Sequence, residues 1–354
     1  MKKSLLALAV LGAYAGVASA QSSVTIFGVV DLSINQIKNG DLKTTSMQSN
    51  QLNSNRLGFR GFEDLGGGLG AGFWIEGAMS NENGQAAGQT WQRRSTVSLI
   101  SQAAGEIRLG RDYVPSFWNR VFFDVYGANG LGNDTNLISL ANPANSGAGT
   151  GVRANNSVGY FLPGNLGGLY GQAMYALGQG NDNNKYWGGR LGFAAGPFDV
   201  AGAYGETETV FADKLKDMNI GGSWNFGFMK LMGLWNELKF SSLKEDYWGI
   251  GASFPIGQGE FRVQYGEVDN KGTLNGVNTD NNDAKIFSVQ YIYNLSKRTA
   301  LYGGYAKISN DGVSARSVLP GTIGSTGNVG STPGGSRLAG GDSDGFNLGV
   351  RHSF

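Results

Sequence analysis

The residues with the greatest chemical reach in this chain are arginines set on alternating stretches. In Arg56-Leu57-Gly58-Phe59-Arg60, Leu57 and Phe59 share one face of a strand, so Arg56 and Arg60 take the other. Arg94 lies opposite the face of Val97 and Leu99. Arg153, with Asn155 and Ser157, lies opposite Val158 and Tyr160. A guanidinium is always charged and carries five donors in a fixed fork. Gathered on one surface, such groups attract and orient anions. Paired with carboxylates, they brace a wall instead. The carboxylates that could answer them are Glu76, on the same side of its stretch as Trp74, and Asp124 and Asp134, in a stretch without periodicity. Arg93 is expected on the opposite face from Arg94, or near a strand end.

Other candidate chemistries are weaker. Gly66-Gly67-Gly68-Leu69-Gly70 has the composition of a phosphate cradle, but alternation resumes at once and no helix follows, so it reads as a tight turn. The runs at 181–184 and 280–283 offer side-chain oxygens without an EF-hand pattern and read as solvated loops. His352 is the single histidine, on an apolar strand face, where a hydrolytic triad has no polar cleft to use. One histidine and no cysteine leave no histidine- or thiolate-based metal site. No catalytic residue, cofactor or metal is expected.

The elements that must hold the arginines are strands. At the C-terminus, Phe346, Leu348, Val350, His352 and Phe354 alternate with Asn347, Gly349, Arg351 and Ser353, and nothing follows to cover the apolar face. Sixteen such stretches can be counted in the sequence, the first at 24–34 and the last at 346–354. Tight turns alternate with long polar connections, notably 269–283 and 309–342. The expected fold is all-β: a 16-stranded antiparallel transmembrane barrel, apolar outside and polar inside. An even count lets the end strands pair and removes the sheet edges. A barrel of this size leaves an aqueous channel. An arginine on its lipid face near the midplane would cost about 2–4 kcal/mol, which favours the inward assignment of Arg56, Arg60, Arg94 and Arg153. The stretch 112–152 has no strand pattern, and no sustained helical period is found after residue 20.

Composition agrees. Aromatic residues are plentiful, with 19 Phe, 14 Tyr and 7 Trp, as interface girdles require. Mean hydropathy is only −0.21, which alternation explains. Lys2, Lys3, the apolar run 5–17 and Ala18-Ser19-Ala20 make residues 1–20 an export signal, leaving 21–354 as the barrel. Loss of the two lysines takes the formal charge from +1 to −1, which offers nothing to nucleic acid.

In order and spacing, several segments resemble the general porins of Gram-negative outer membranes, most of all the anion-selective trimeric porins of β-proteobacteria. They are SVTIFGVVD (23–31), SNRLGFRGFEDL (54–65), RRSTVSL (93–99), IRLGRD (107–112), YNLSKRT (293–299) with Leu301 and Tyr302, and the closing strand. The resemblance implies export through the periplasm to the outer membrane and a homotrimer in contact with lipid and lipopolysaccharide. It also implies a third extracellular loop, at 112–152, folded into each lumen as a constriction. Arg56, Arg94 and Arg153 match the basic cluster at that eyelet, with Arg60 as a fourth member and Glu76, Asp124 and Asp134 as counter-charges. The function implied is passive diffusion of small anionic and polar solutes. The alternatives are a barrel that binds or adheres through its long loops, and a barrel hydrolase.

Overall fold

The computed structural model describes residues 23–85, 90–138, 150–178, 185–209, 213–274, 277–320 and 339–354. The expected export signal lies outside them, as does the run at 181–184. Seventeen strand segments form one antiparallel sheet. β1 (Ser23–Asn39) pairs through its second half with β2 (Leu42–Ser49) and through its first half with β3 (Arg56–Gly66). β2 and β3 are therefore two halves of one wall strand, and the barrel has sixteen strands. The upper half, β2, was not legible. Its outward positions carry Lys43 and Thr45, with Met47 the one apolar side chain among them, so apolar alternation fails there.

The wall continues through β4 (Leu69–Ala78), β5 (Arg94–Ser101), β6 (Gly105–Tyr113), β7 (Arg153–Phe161), β8 (Leu169–Ala176), β9 (Tyr186–Ala195), β10 (Phe198–Glu208), β11 (Lys214–Asn225) and β12 (Lys230–Phe240). It is completed by β13 (Leu243–Ile256), β14 (Gly259–Lys271), β17 (Ala284–Asn294), β18 (Thr299–Asn310) and β19 (Ser343–Ser353). The short pair β15 (Thr273–Leu274) and β16 (Val277–Asn278) stands apart in the connection after β14. β19 pairs with β1 from Val29↔Ser353 to Asn39↔Ser343, which closes the barrel. Gly28 and Phe354 exchange both backbone hydrogen bonds at 3.0 Å, and a Cβ on Gly28 would run into the Phe354 ring. The last residue is thus seated on the first strand.

The outer wall is apolar by alternation. Val24, Ile26, Val97, Leu99, Leu191, Ile220, Leu301 and Leu348 are all exposed on it. Water would penalise so continuous a belt, and hydrocarbon would not.

Two features depart from the sequence expectations. The first is α1 (Pro115–Phe123), a helix in the stretch after β6. It carries Pro at its start, where the missing N–H costs nothing. Its apolar residues point both to the wall and to the lumen, so no one-sided 3.6-residue stripe marks it. The second is that the lumen is not uniformly polar. Inward Ile37, Leu234, Leu238, Tyr247, Ile286 and Ile308 form one buried cluster with Leu131, Leu137, Ile138 and Val318 from the loops. The first part of the connection after β18 folds inward as well. Arg316 is buried, donates to Glu245 Oε2 at 2.8 Å and to the Leu137 carbonyl at 2.7 Å, and ties that connection to the loop after β6.

Candidate functional site

α1 lies inside the barrel against β9 to β12, and buried polar groups fix it there. Asn119 donates to the Ala201 carbonyl at 3.0 Å and to Asn219 Oδ1 at 2.8 Å; Asn219 returns a bond to the Ser116 carbonyl at 3.1 Å. Arg120, fully buried, donates to Asn236 Oδ1 at 2.8 Å and pairs with Asp217 at 3.2 Å. Gly221 and Gly251 leave the wall bare where Phe123 and Val125 press on it; a Cβ at either would collide with those side chains. The helix therefore narrows the channel from one side.

The opposite side is built from β3, β5, β7 and a break in the second wall strand. Between β2 and β3, residues 50–55 leave the sheet. The Asp31 carboxylate accepts the backbone N–H groups of Leu52 and Asn53 at 2.6 and 2.5 Å, and Asn55 Oδ1 accepts from Asp31 N at 2.6 Å. Ser54 at the tip donates to Asn129 Oδ1 at 2.8 Å, so the break supports the loop that carries α1.

Between these sides lies a cavity of 610 Å³ lined by Arg56, Arg93, Arg153, Arg262 and Arg351, with Asp124 and Glu260 as its carboxylates. Glu76 sits behind the arginines, 3% exposed. It accepts from Arg93 Nε at 2.5 Å, from Arg56 Nη1 at 3.5 Å and from Trp74 Nε1 at 3.0 Å. The Tyr113 hydroxyl accepts from both Arg93 and Arg153 at 2.7 Å, and the Arg153 guanidinium lies 4.2 Å from the Tyr113 ring centroid. Tyr113 thus holds two like charges side by side. Among the described residues Arg153 pairs with no carboxylate.

The arginines expected at one site divide between two cavities. Arg56 and Arg153 line the larger one. Arg60 and Arg94 line a second cavity of 370 Å³, toward the end of the barrel with the short turns, together with Arg108 and Glu106. Trp74 lines this second cavity, and the Arg60 and Arg94 guanidinium groups lie 5.2 and 4.6 Å from its ring centroid. Arg94 also approaches Asp112 at 3.8 Å, and Arg108 pairs with Asp112 at 2.6 Å and with Glu106 at 2.8 Å.

Arg93 takes the strand-end alternative: it precedes β5, escapes its alternation and points inward. Two side chains sit elsewhere than expected. Asn155 does not accompany Arg153. A bulge opposite Arg111, with Asn156 at φ 53°, shifts the register, and Asn155 is exposed and accepts from Arg111 Nη1 at 2.5 Å. Asp134 is fully buried beneath the loop rather than facing the channel, and neither carboxylate oxygen has a hydrogen-bond partner among the described residues. Burial, and then the neighbouring Asp124, push its pKa well up. Burial pushes Asp124 up to about 6, against the pull of the backbone N–H groups of Ala128 and Tyr126. Arg262 and Arg351 were missed. Their inward alternation on β14 and β19 was readable, but nothing local tells that those strands meet this cavity.

The chain is similar to known proteins in sequence and in fold. A family model described as Gram-negative porin matches residues 7–313. Over 378 aligned residues the chain is 38% identical to outer membrane porin protein 32 of Delftia acidovorans, with both chains covered in full. It is 29% identical to an outer membrane porin protein of Bordetella pertussis, covering 87% of this chain and 94% of that one. Among solved structures, an anion-selective porin from Comamonas acidovorans superposes with a TM-score of 0.81 at 34% identity, covering 94% of this chain and all of that one.

Proposed function

The chain belongs to the Gram-negative porin family and is an outer-membrane channel rather than an enzyme, and from that premise we propose that its channel prefers anions because of the arginines around the larger cavity. The observation that carries this is the charge count there. Five arginines face two carboxylates, and Glu76 behind them leaves the excess positive. Rings of Arg and Lys are the usual device of anion pores. Arg56, Arg93 and Arg153 form the core of the filter. Arg60, Arg94 and Arg108 form a second basic station, where Glu106 and Asp112 cancel much of the charge. Asp124 subtracts from the filter when ionised, and Asp134 takes no direct part. The solutes are small anionic and polar molecules.

Reversal potential across a planar bilayer under a KCl gradient tests the reading. The expected sign is Cl⁻ over K⁺, strongest at low salt, because the Debye length is about 10 Å at 0.1 M. A zero or K⁺-selective potential would overturn it.

The same reading includes a homotrimer seated in lipid, with lipopolysaccharide around its outer rim. Arg111 supports the trimer. It pairs with Ser95, on the side of the wall that bears Val97 and Leu99, and lipid is a poor neighbour for a charge there. Crosslinking in native membranes should yield a three-chain species; a single-chain product alone would count against it.

A further inference from the structure

We propose that the eyelet favours amphipathic organic anions: a carboxylate or sulfonate carried on a planar apolar body. The charge would lie toward Arg153 and the body against α1. This rests on the anion-preferring reading above and names its solute class.

The first observation is the free face of α1. The helix gives its polar groups to the wall: Asn119 and Arg120 are buried in hydrogen bonds. What remains toward the cavity is Trp118, Val121 and Phe122. The outward face of a docked helix is ordinarily polar. Here it is apolar, and Phe122 is 49% exposed although α1 lies inside the barrel, away from lipid. Trp118 and Phe122, one turn apart, hold their ring centroids 5.5 Å from each other and make a continuous strip. Water against such a strip is released when an apolar solute face covers it.

The second observation is beside the strip, in the same cavity: the Tyr113 ring, 5.0 Å from that of Trp118, also carries the Arg153 guanidinium. Arg153 has no carboxylate partner among the described residues, and its Nε is buried without a hydrogen bond. Tyr113 covers one face of its guanidinium and fixes Nη2, so the group is held in place with no carboxylate answering its charge among the described residues. An apolar strip beside a held, uncompensated guanidinium complements a molecule with one apolar end and one anionic end. A small inorganic anion would use only half of it.

The test is block of Cl⁻ current through the intact channel by benzenesulfonate and by methanesulfonate. Both stay ionised, so neither crosses the lipid as a neutral acid. Benzenesulfonate should half-block at about tenfold lower concentration, the factor expected from covering roughly 55 Å² of apolar surface. Phe122→Ser should bring the two probes to within about twofold, and Phe122→Leu should keep most of the difference. Arg153→Ala should weaken both probes alike. Equal block by both probes in a channel that still prefers Cl⁻ would overturn this inference alone, as would a Phe122→Ser channel that keeps the full ratio. A wild-type channel without Cl⁻ preference would overturn the reading beneath it.

Discussion

At the scale of single residues, the proposed filter is a balance between arginines and the one carboxylate that touches two of them. Glu76 draws on Arg93 and Arg56, whereas Arg153 is left to its phenol partner. One charge about 7 Å from a permeating ion is worth roughly 0.6 kcal/mol in water and about half that at 0.1 M salt; it acts with opposite sign on Cl⁻ and K⁺, so their ratio changes by about a factor of two to three. Arg153→Ala should therefore lower Cl⁻ over K⁺ preference by about that factor, and Glu76→Gln should raise it similarly. Reversal potentials at low salt would check both. No change in either variant would make these residues wall braces. Asp124 adds a pH dependence. Its carboxyl titrates near 6 rather than its usual 3.8, so it is ionised at pH 7.5 and neutral at pH 5. Acidification should raise anion preference by about two- to threefold with its midpoint near pH 6, and Asp124→Asn should flatten the profile. The same shift bears on loop docking. The undocked loop loses its proton first as pH rises, so docking is firmest in acid and weakens between about pH 4 and pH 6.

At the scale of elements, α1 decides the channel's width, and its docking is polar where most helix docking is apolar. Removing one partner of a buried ion pair typically costs about 3–5 kcal/mol, because the other charge is left without solvent or partner. Arg120→Ala would strand Asp217 and Asn236 in this way. The wall does not depend on this pair, since its strands are bonded to each other. The expected result is a folded barrel with a loosened loop: higher and noisier single-channel conductance, with unchanged heat-modifiable migration in gels. Unchanged conductance would mean that Phe123 and Val125 in their glycine recesses hold the helix by themselves. α1 was illegible because a nine-residue helix with apolar residues on two sides lacks one-sided periodicity. The break between β2 and β3 was hidden for a related reason. Asp31 organises it from another strand, through contacts more than twenty residues apart in sequence.

At the scale of the whole molecule, closure depends on one junction. β1 and β19 pair along eleven positions, and the Phe354–Gly28 exchange extends that ladder by one step at its end. An open sheet edge has no partner in hydrocarbon, so the final bonds matter more than their number suggests. Deleting Phe354 should reduce the folded, heat-modifiable species well below that of Phe354→Leu, which keeps the backbone bonds. Equal yields would place the closing signal elsewhere on β19. The barrel itself was readable from sequence because lipid and water sort side chains strand by strand. Leu348 beside Asn347 and Val97 beside Ser98 carry that pattern locally, and local patterns survive in one dimension. The inward side of Arg56, Arg60 and Arg94 follows from the same alternation, whereas Arg153 reaches the cavity beyond a bulge that breaks it. Which arginines share a cavity, the inward turn of Arg93, the burial of Asp134 and the apolar face of α1 were settled only by tertiary structure. Each depends on what lies across the lumen, and strands far apart in sequence meet there through a void that no hydrogen-bond ladder records.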